Sequence, residues 1–379
     1  MEVYMDNSAT TRPYNEVINE MVNVMENYYG NPSSAYKLGL EAEKKCNEAR
    51  NIVAKTISAS KEEILFTSGG SESNNFLLKG FVKKGSHIVT TKMEHPSIIN
   101  TCVELEKEGV SVTYLDVDEK GHIDLNVLEK SITKDTQVVS IMHVNNEFGV
   151  VQDLYSIGKL IKEKSSRAKF HVDAVQSYGK INIDVNEFNI DLLSASGHKI
   201  HGPRGIGLAY VRRGLCPKPL INGGGQEGNF RSGTENVAGI CGMAKAADIM
   251  YNNMENNYKS TKDIKKYFVE KLSEIKDIRI NSSNYEDYIP HILNVSFRGV
   301  RAEVLLHLLE ESGIYVSNGS ACSAKKNKMS YVLKSIGLSP VDIEGAIRFS
   351  FNENNSFEEV DYTIEKIKKS LQMLRRFKR

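Results

Sequence analysis

The feature that most constrains this chain is a regular alternation of short β-branched runs with amphipathic segments. Glu63 to Thr67, His87 to Thr91, Val112 to Leu115, Val138 to Met142, Phe170 to Val172 and Leu192 to Ala195 read as strands, and Ile206 to Val211 can close the set. Between them lie stretches such as Leu154 to Lys164. Its apolar residues at 154, 157, 160 and 161 fall on one helix face. Such alternation predicts an α/β domain on a mostly parallel sheet. Sheets of this kind gather ligands beyond the carboxyl ends of their strands, and the polar clusters of this sequence fall at those ends.

After about residue 258 the pattern changes. A charged helix (Thr261 to Ile275) precedes a strand (His291 to Phe297), then an apolar helix (Ala302 to Glu311) and a Gly/Ser loop (Ser317 to Ser323). Another strand, Ala346 to Phe351, leads into a terminal helix from Phe357. A chain of 379 residues exceeds the roughly 100–200 residues of one ordinary domain. The expected division is a large domain over 16–258 and a smaller α+β domain formed by 1–15 and 259–379.

Composition removes several function classes. The formal charge is +1, without the basic excess of a nucleic-acid binder, so no direct nucleic-acid partner is expected. The basic end (Arg375, Arg376, Lys378, Arg379) reads as a solvated helix terminus. No signal peptide is visible, and no stretch approaches the roughly 18 apolar residues of a membrane span. The five cysteines, at 46, 102, 216, 241 and 322, include no CxxC pair and read as free thiols of a cytoplasmic protein. No metal site is expected.

Five clusters carry candidate chemistry. Ser194-Ala195-Ser196-Gly197-His198-Lys199 puts a lysine at a strand end, where it could form a Schiff base, with Ser and His able to bind phosphate. Phe170-His171-Val172-Asp173-Ala174-Val175-Gln176 places an acid past a strand; such a carboxylate would keep a pyridine nitrogen protonated. Thr67-Ser68-Gly69-Gly70-Ser71-Glu72-Ser73 joins a strand to a helix, and its small residues let backbone amides approach an anion. It is neither a Walker loop nor a GxGxxG loop. Ser317-Asn318-Gly319-Ser320-Ala321-Cys322-Ser323 sets a cysteine in a Gly/Ser loop before Lys325, Lys326 and Lys328, whose charge favours the thiolate. His95, in Met93-Glu94-His95-Pro96, could stack on a planar ring or move protons. Each has a plain reading alone: a surface lysine, a helix N-cap, a capped turn, a packing cysteine, a structural histidine. Together they supply complementary parts of one site.

With these motifs, and with Met5-Asp6-Asn7-Ser8-Ala9-Thr10-Thr11, Gly30-Asn31-Pro32-Ser33-Ser34, His143-Val144-Asn145-Asn146-Glu147, Gly223-Gly224-Gly225, Arg231-Ser232-Gly233-Thr234 and Ile347-Arg348-Phe349-Ser350, the chain resembles the cysteine desulfurases of the NifS/IscS type nearly end to end. These belong to the class V aminotransferases, among the fold-type I pyridoxal-phosphate (PLP) enzymes. The resemblance implies a large, mostly parallel sheet with helices on both faces and a smaller C-terminal domain.

It also implies roles. Lys199 would hold pyridoxal 5'-phosphate covalently. Asp173 would pair with its ring nitrogen, Gln176 with its phenolic oxygen, and His95 would stack on the ring and transfer protons. Gly70, Ser71, Ser196, Gly197 and His198 would hold the phosphate. Thr234 would reach the cofactor of a neighbouring subunit, implying a homodimer. Asn146 would touch cofactor and substrate, and Arg348 would clamp the carboxylate of L-cysteine. Cys322 would take the sulfur as a persulfide, releasing alanine, and pass it to an acceptor protein for iron–sulfur cluster assembly or tRNA thiolation.

The sequence departs from that pattern in Ser71, where threonine is common, in Asn318, and in its richer basic run after Cys322. These leave the acceptor open more than the reaction. A selenocysteine lyase or class V aminotransferase would share Lys199 and Asp173, although an aminotransferase needs no thiol. A sulfur-carrier scaffold would need Cys322 but no cofactor site.

Overall fold

The computed structural model describes residues 1–282, 287–319 and 329–376. The chain opens with β1 (Val3–Tyr4). It then lays down β2 (Ile64–Thr67), β3 (His87–Thr91), β4 (Ser111–Leu115), β5 (Thr136–Met142), β6 (Lys169–Asp173), β7 (Leu192–Ser196) and β8 (Gly207–Val211). These seven form one sheet in the order β2-β8-β7-β6-β5-β3-β4. The pairs from β7 to β4 are parallel, and β8 runs antiparallel to both its neighbours. The reversal at β8 is a detail that strand-by-strand reading does not supply. The sheet is otherwise of the expected kind.

The later strands are β9 (Ile278–Ile280), β10 (Ile292–Phe297), β11 (Ile314–Tyr315) and β12 (Ala346–Ser350). β12-β10-β9 is an antiparallel sheet, and β11 pairs with β1.

The helices are α1 (Asn15–Asn27), α2 (Lys37–Lys55), α3 (Gly70–Lys79), α4 (Pro96–Lys107), α5 (Leu125–Ser131), α6 (Leu154–Lys164), α7 (Val237–Asn252), α8 (Met254–Leu272), α9 (Ala302–Glu310), α10 (Tyr331–Ser335), α11 (Pro340–Glu344) and α12 (Phe357–Arg376). Local chemistry sets their starts. Asp153 accepts from the Ser156 amide at 3.1 Å and caps α6. His95 caps α4, whose first residue, Pro96, has no amide proton to leave unpaired.

Two large apolar cores follow. One gathers residues between Val17 and Met250 around the seven-stranded sheet. The other joins Val3 and Met5 to residues between Ile264 and Leu371. Burial of these side chains is the main force holding each layer, at about 25 cal/mol per Å² of apolar surface. A third cluster, including Met93, Phe148, Val150, Val332 and Leu333, ties the two together. The expected boundary at 258 falls inside α8, and that at 15 falls at the start of α1. Among the described residues no helix is long and apolar enough to cross a membrane, and no His/Cys/Asp/Glu group could hold a metal.

Candidate active site

The strands of the parallel set end on one edge, and a cavity of about 210 Å³ opens there. Its lining includes Gly70, Ser71, His95, Asn146, Asp173, Gln176, Ser196, His198, Lys199 and Arg348. The polar stretches that follow β2, β3, β5, β6 and β7 thus meet, and β12 adds its arginine from the smaller sheet.

Asp173 ends β6 and is buried. Its Oδ2 accepts from Asn74 Nδ2 at 2.8 Å and its Oδ1 from the Val175 amide at 3.0 Å. Two donors, one on each oxygen, fix the direction of this buried carboxyl group. Asn74 lies one turn beyond Gly70 on α3, so both face the cavity. The same Nδ2 donates to Ser97 Oγ at 2.9 Å, and Ser97 Oγ lies 2.8 Å from His95 Nδ1. Ser194 donates to Asn74 Oδ1. One asparagine therefore links the acid to the histidine.

His95 Nδ1 also accepts from the Ser97 amide at 3.1 Å, which leaves Nε2 to carry the ring proton. Burial pushes the His95 pKa down, Asp173 opposing and Lys199 adding to the effect, so the ring is neutral near pH 7. Glu94, just before it, is wholly buried. Its Oε1 accepts from Thr91 Oγ1 at 2.8 Å and from the Met142 amide at 3.0 Å, while Oε2 has no partner.

Lys199 sits in the return from β7 to β8. Its Nζ donates to the carbonyls of Ser8 and, at 2.7 Å, Ala9. The N-terminal segment buttresses this return, Thr11 Oγ1 donating to the His198 carbonyl at 3.0 Å. Burial lowers the His198 pKa to about 4, helped by Lys199, Arg204 and Lys180. Gly197 lies buried between Ser196 and His198, where a Cβ would come within 2.8 Å of Ile206.

Gly70 starts α3. A Cβ there would stand 2.6 Å from Val175 Cγ2, so only glycine lets the helix start approach β6 this closely. The first-turn amides have no partners within the helix and, with the hydroxyls of Ser71 and Ser196, suit an anion.

Arg348 is almost wholly buried. Its Nη1 donates to the Asn146 carbonyl at 2.7 Å and Nη2 to Asp6 Oδ1 at 2.8 Å, while Nε has no partner. Next to Asn146, Glu147 accepts from Ser330 Oγ at 2.5 Å through Oε2. The same oxygen would lie 3.5 Å from a Cβ on Gly319 (φ +112°). Gly319 and Ser330 thus both stand beside one carboxylate. Cys322 and the lysines at 325, 326 and 328 lie outside the described residues. Thr234 is exposed and away from the cavity lining.

Sequence reasoning missed Ser8, Ala9, Asn74, Ser97, Met142 and Val175 among the lining residues. Only Asn74 had a usable signal, its four-residue offset from Gly70.

The wall offers a carboxylate, an amine, a helix N-terminus with hydroxyls, and a neutral imidazole. Two of its residues, Ser8 and Gln176, carry buried polar oxygens without partners. That donor set fits a phosphorylated pyridine aldehyde. Residues 3–363 match the family described as aminotransferase class-V, and the chain belongs to that family. Its similarities are more particular than that. It is 42% identical to the cysteine desulfurase IscS of Clostridium botulinum, over 99% of this chain and 95% of that protein. A solved NifS-like protein shares 39% identity with a TM-score of 0.93, covering 98% of this chain and all of that one (100%). The apo cysteine desulfurase of Thermococcus onnurineus is 28% identical with a TM-score of 0.88, over 98% of this chain and 95% of that one. Within the family the chain stands with the cysteine desulfurases of the NifS/IscS type.

Proposed function

We propose that the cavity binds pyridoxal 5'-phosphate and L-cysteine, and that Cys322 takes the sulfur. The observation that carries this reading is the gathering of Lys199, Asp173, His95 and Arg348 around one cavity. When bound, pyridoxal phosphate supplies an electrophilic carbonyl and a protonated ring that takes up electrons. Lys199 is the amine that holds it. Asp173, aimed by hydrogen bonds from Asn74 and the Val175 amide, pairs with the ring nitrogen. Gly70, Ser71, Ser196 and His198 receive the phosphate, and Gln176 the phenolic oxygen. His95, neutral and held by Ser97, moves protons through Nε2. Arg348 binds the substrate carboxylate as a guanidinium fork.

The Cys322 thiolate forms an S–S bond to the substrate sulfur as the substrate C–S bond breaks. The electron pair stays with carbon and takes up a proton. Alanine leaves, and the enzyme keeps a persulfide for an acceptor protein, either an iron–sulfur scaffold or a tRNA-thiolation enzyme. The working form is a cytoplasmic homodimer in which Thr234 serves the partner's cofactor.

The test measures visible absorbance and alanine release on the same samples. Wild type turns cysteine into alanine. Cys322→Ser keeps the cofactor band and its response to cysteine but releases almost no alanine, because a serine hydroxyl is a poor nucleophile towards sulfur. Lys199→Ala loses both. Normal alanine release by Cys322→Ser would move the reading to a lyase or aminotransferase.

A further inference from the structure

Glu94 is not part of the cavity lining, yet it stands directly behind it. The residue is fully buried; its carboxyl bonds two elements and its backbone carbonyl a third. Thr91 at the end of β3 and the Met142 amide at the end of β5 donate to Oε1. The Glu94 carbonyl accepts from Tyr331 Oη at 2.6 Å, at the start of α10. Beside it, Asn145 Nδ2 donates to the Met93 carbonyl at 3.0 Å. The turn that delivers His95 is therefore fastened on both sides, and the Glu94 side chain supplies two of the fastenings.

The protonation state follows from the surroundings. Among the described residues, the ionisable groups around Glu94 are Asp173 from β6, Cys102 from α4, the adjoining His95, and the Tyr331 hydroxyl on its backbone carbonyl. None of these supplies a cation, and among the described residues Oε2 has no donor. A carboxylate so placed would stand charged and half-solvated by protein next to a second carboxylate. Burial, with Asp173 adding, raises its pKa to about 8.

We propose that Glu94 is a positioning residue for His95, working as an un-ionised acid whose loss of a proton ends the alkaline range of the reaction. The proposal rests on His95 acting in the desulfurase reading above. The neutral acid leaves Asp173 as the one carboxylate charge at this end of the cavity, among the described residues. Ionisation of Glu94 would repel Asp173 and loosen the β3–α4 turn.

The variants are Glu94→Gln, which keeps the accepting oxygen and stays neutral, and Glu94→Ala, which removes both fastening bonds to Oε1. At pH 7 the glutamine variant should keep kcat/KM within about twofold. The alanine variant should lose up to roughly a hundredfold, the scale of a small misplacement of a reacting group, mostly in kcat. The alkaline fall of kcat/KM near pH 8 in wild type should move upward in Glu94→Gln. A second readout needs no reaction. The folded acid binds its proton more tightly than the unfolded one, so it contributes stability below about pH 4.5 that is lost as pH rises towards 8. The urea midpoint of wild type should therefore fall between pH 6 and 8 relative to Glu94→Gln.

Parallel urea midpoints, or a glutamine variant as damaged as the alanine one, would overturn the proposal. Should Glu94→Ala not fold, Thr91→Val removes only the hydroxyl on Oε1 and should lower kcat in the same way. If neither wild type nor variants release alanine from cysteine, the functional reading fails, while the urea comparison still decides the state of Glu94.

Discussion

Asn74 shows how much one neutral side chain can organise. Its amide group holds Asp173 and, through Ser97, His95, so charge and proton transfer are set by one rotamer. Removing it strips a donor from a buried carboxylate, at a cost of about 1–3 kcal/mol. Asn74→Ala should therefore bind pyridoxal phosphate roughly tenfold or more weakly, as read by cofactor titration, and shift the acid limb set by His95. Unchanged affinity would mean that Asp173 is held without it. In the sequence Asn74 sits in a polar run, Ser-Glu-Ser-Asn-Asn, that reads as a solvent face. Only the packing of α3 onto β6 and β7 turns that face inward. Lys199, Asp173, Gly70 and His95 were legible because each stands at a strand end.

At the scale of elements, the strands that were read agree to within about two residues, whereas α1, α2 and α7 were not read and α8 begins seven residues before the expected Thr261. The apolar runs are short and β-branched, and helices such as α6 repeat at helical spacing. Strand direction was not legible at β8, because it depends on where the chain goes between 197 and 206. The expected boundary at 258 rests on a change in composition, and in the structure that residue lies within α8. Nor did the charged look of α8 reveal that Lys265 is buried. Its Nζ donates to the Ile289 carbonyl at 3.1 Å, and burial lowers its pKa to about 7. The unfolded amine binds its proton more tightly than the folded one. This group's contribution to stability is thus complete above about pH 10.5 and is lost as pH falls towards 7. Lys265→Met should raise the urea midpoint at pH 7, with a smaller gain at about pH 9. Equal gains at both values would show that the lysine is not titrating.

At the scale of the whole molecule, the surface carries a stripe of exposed apolar side chains. Ile18, Val22 and Met25 are 45%, 43% and 57% exposed along α1, and Tyr29, Tyr36, Leu38 and Leu40 continue it towards α2. Apolar side chains at this spacing form one face rather than scattered exposures. The homodimer proposed above would cover this face with a second copy of the chain. Sedimentation at assay concentration should give a dimer. Val22→Arg should shift it towards monomer and weaken cofactor retention together. A fully active monomer would remove the need for a partner.

Glu147 gives the architecture a freedom that its chemistry does not have. Gly319 and Ser330 both stand beside this one buried carboxylate, which fixes the two positions relative to each other. Joining two fixed points by a longer chain costs only about 0.6 kcal/mol for each doubling of its length. Descendants of this sequence could therefore lengthen or shorten that stretch, and so change which delivery partner it suits, while every residue that binds and activates the substrate keeps its place.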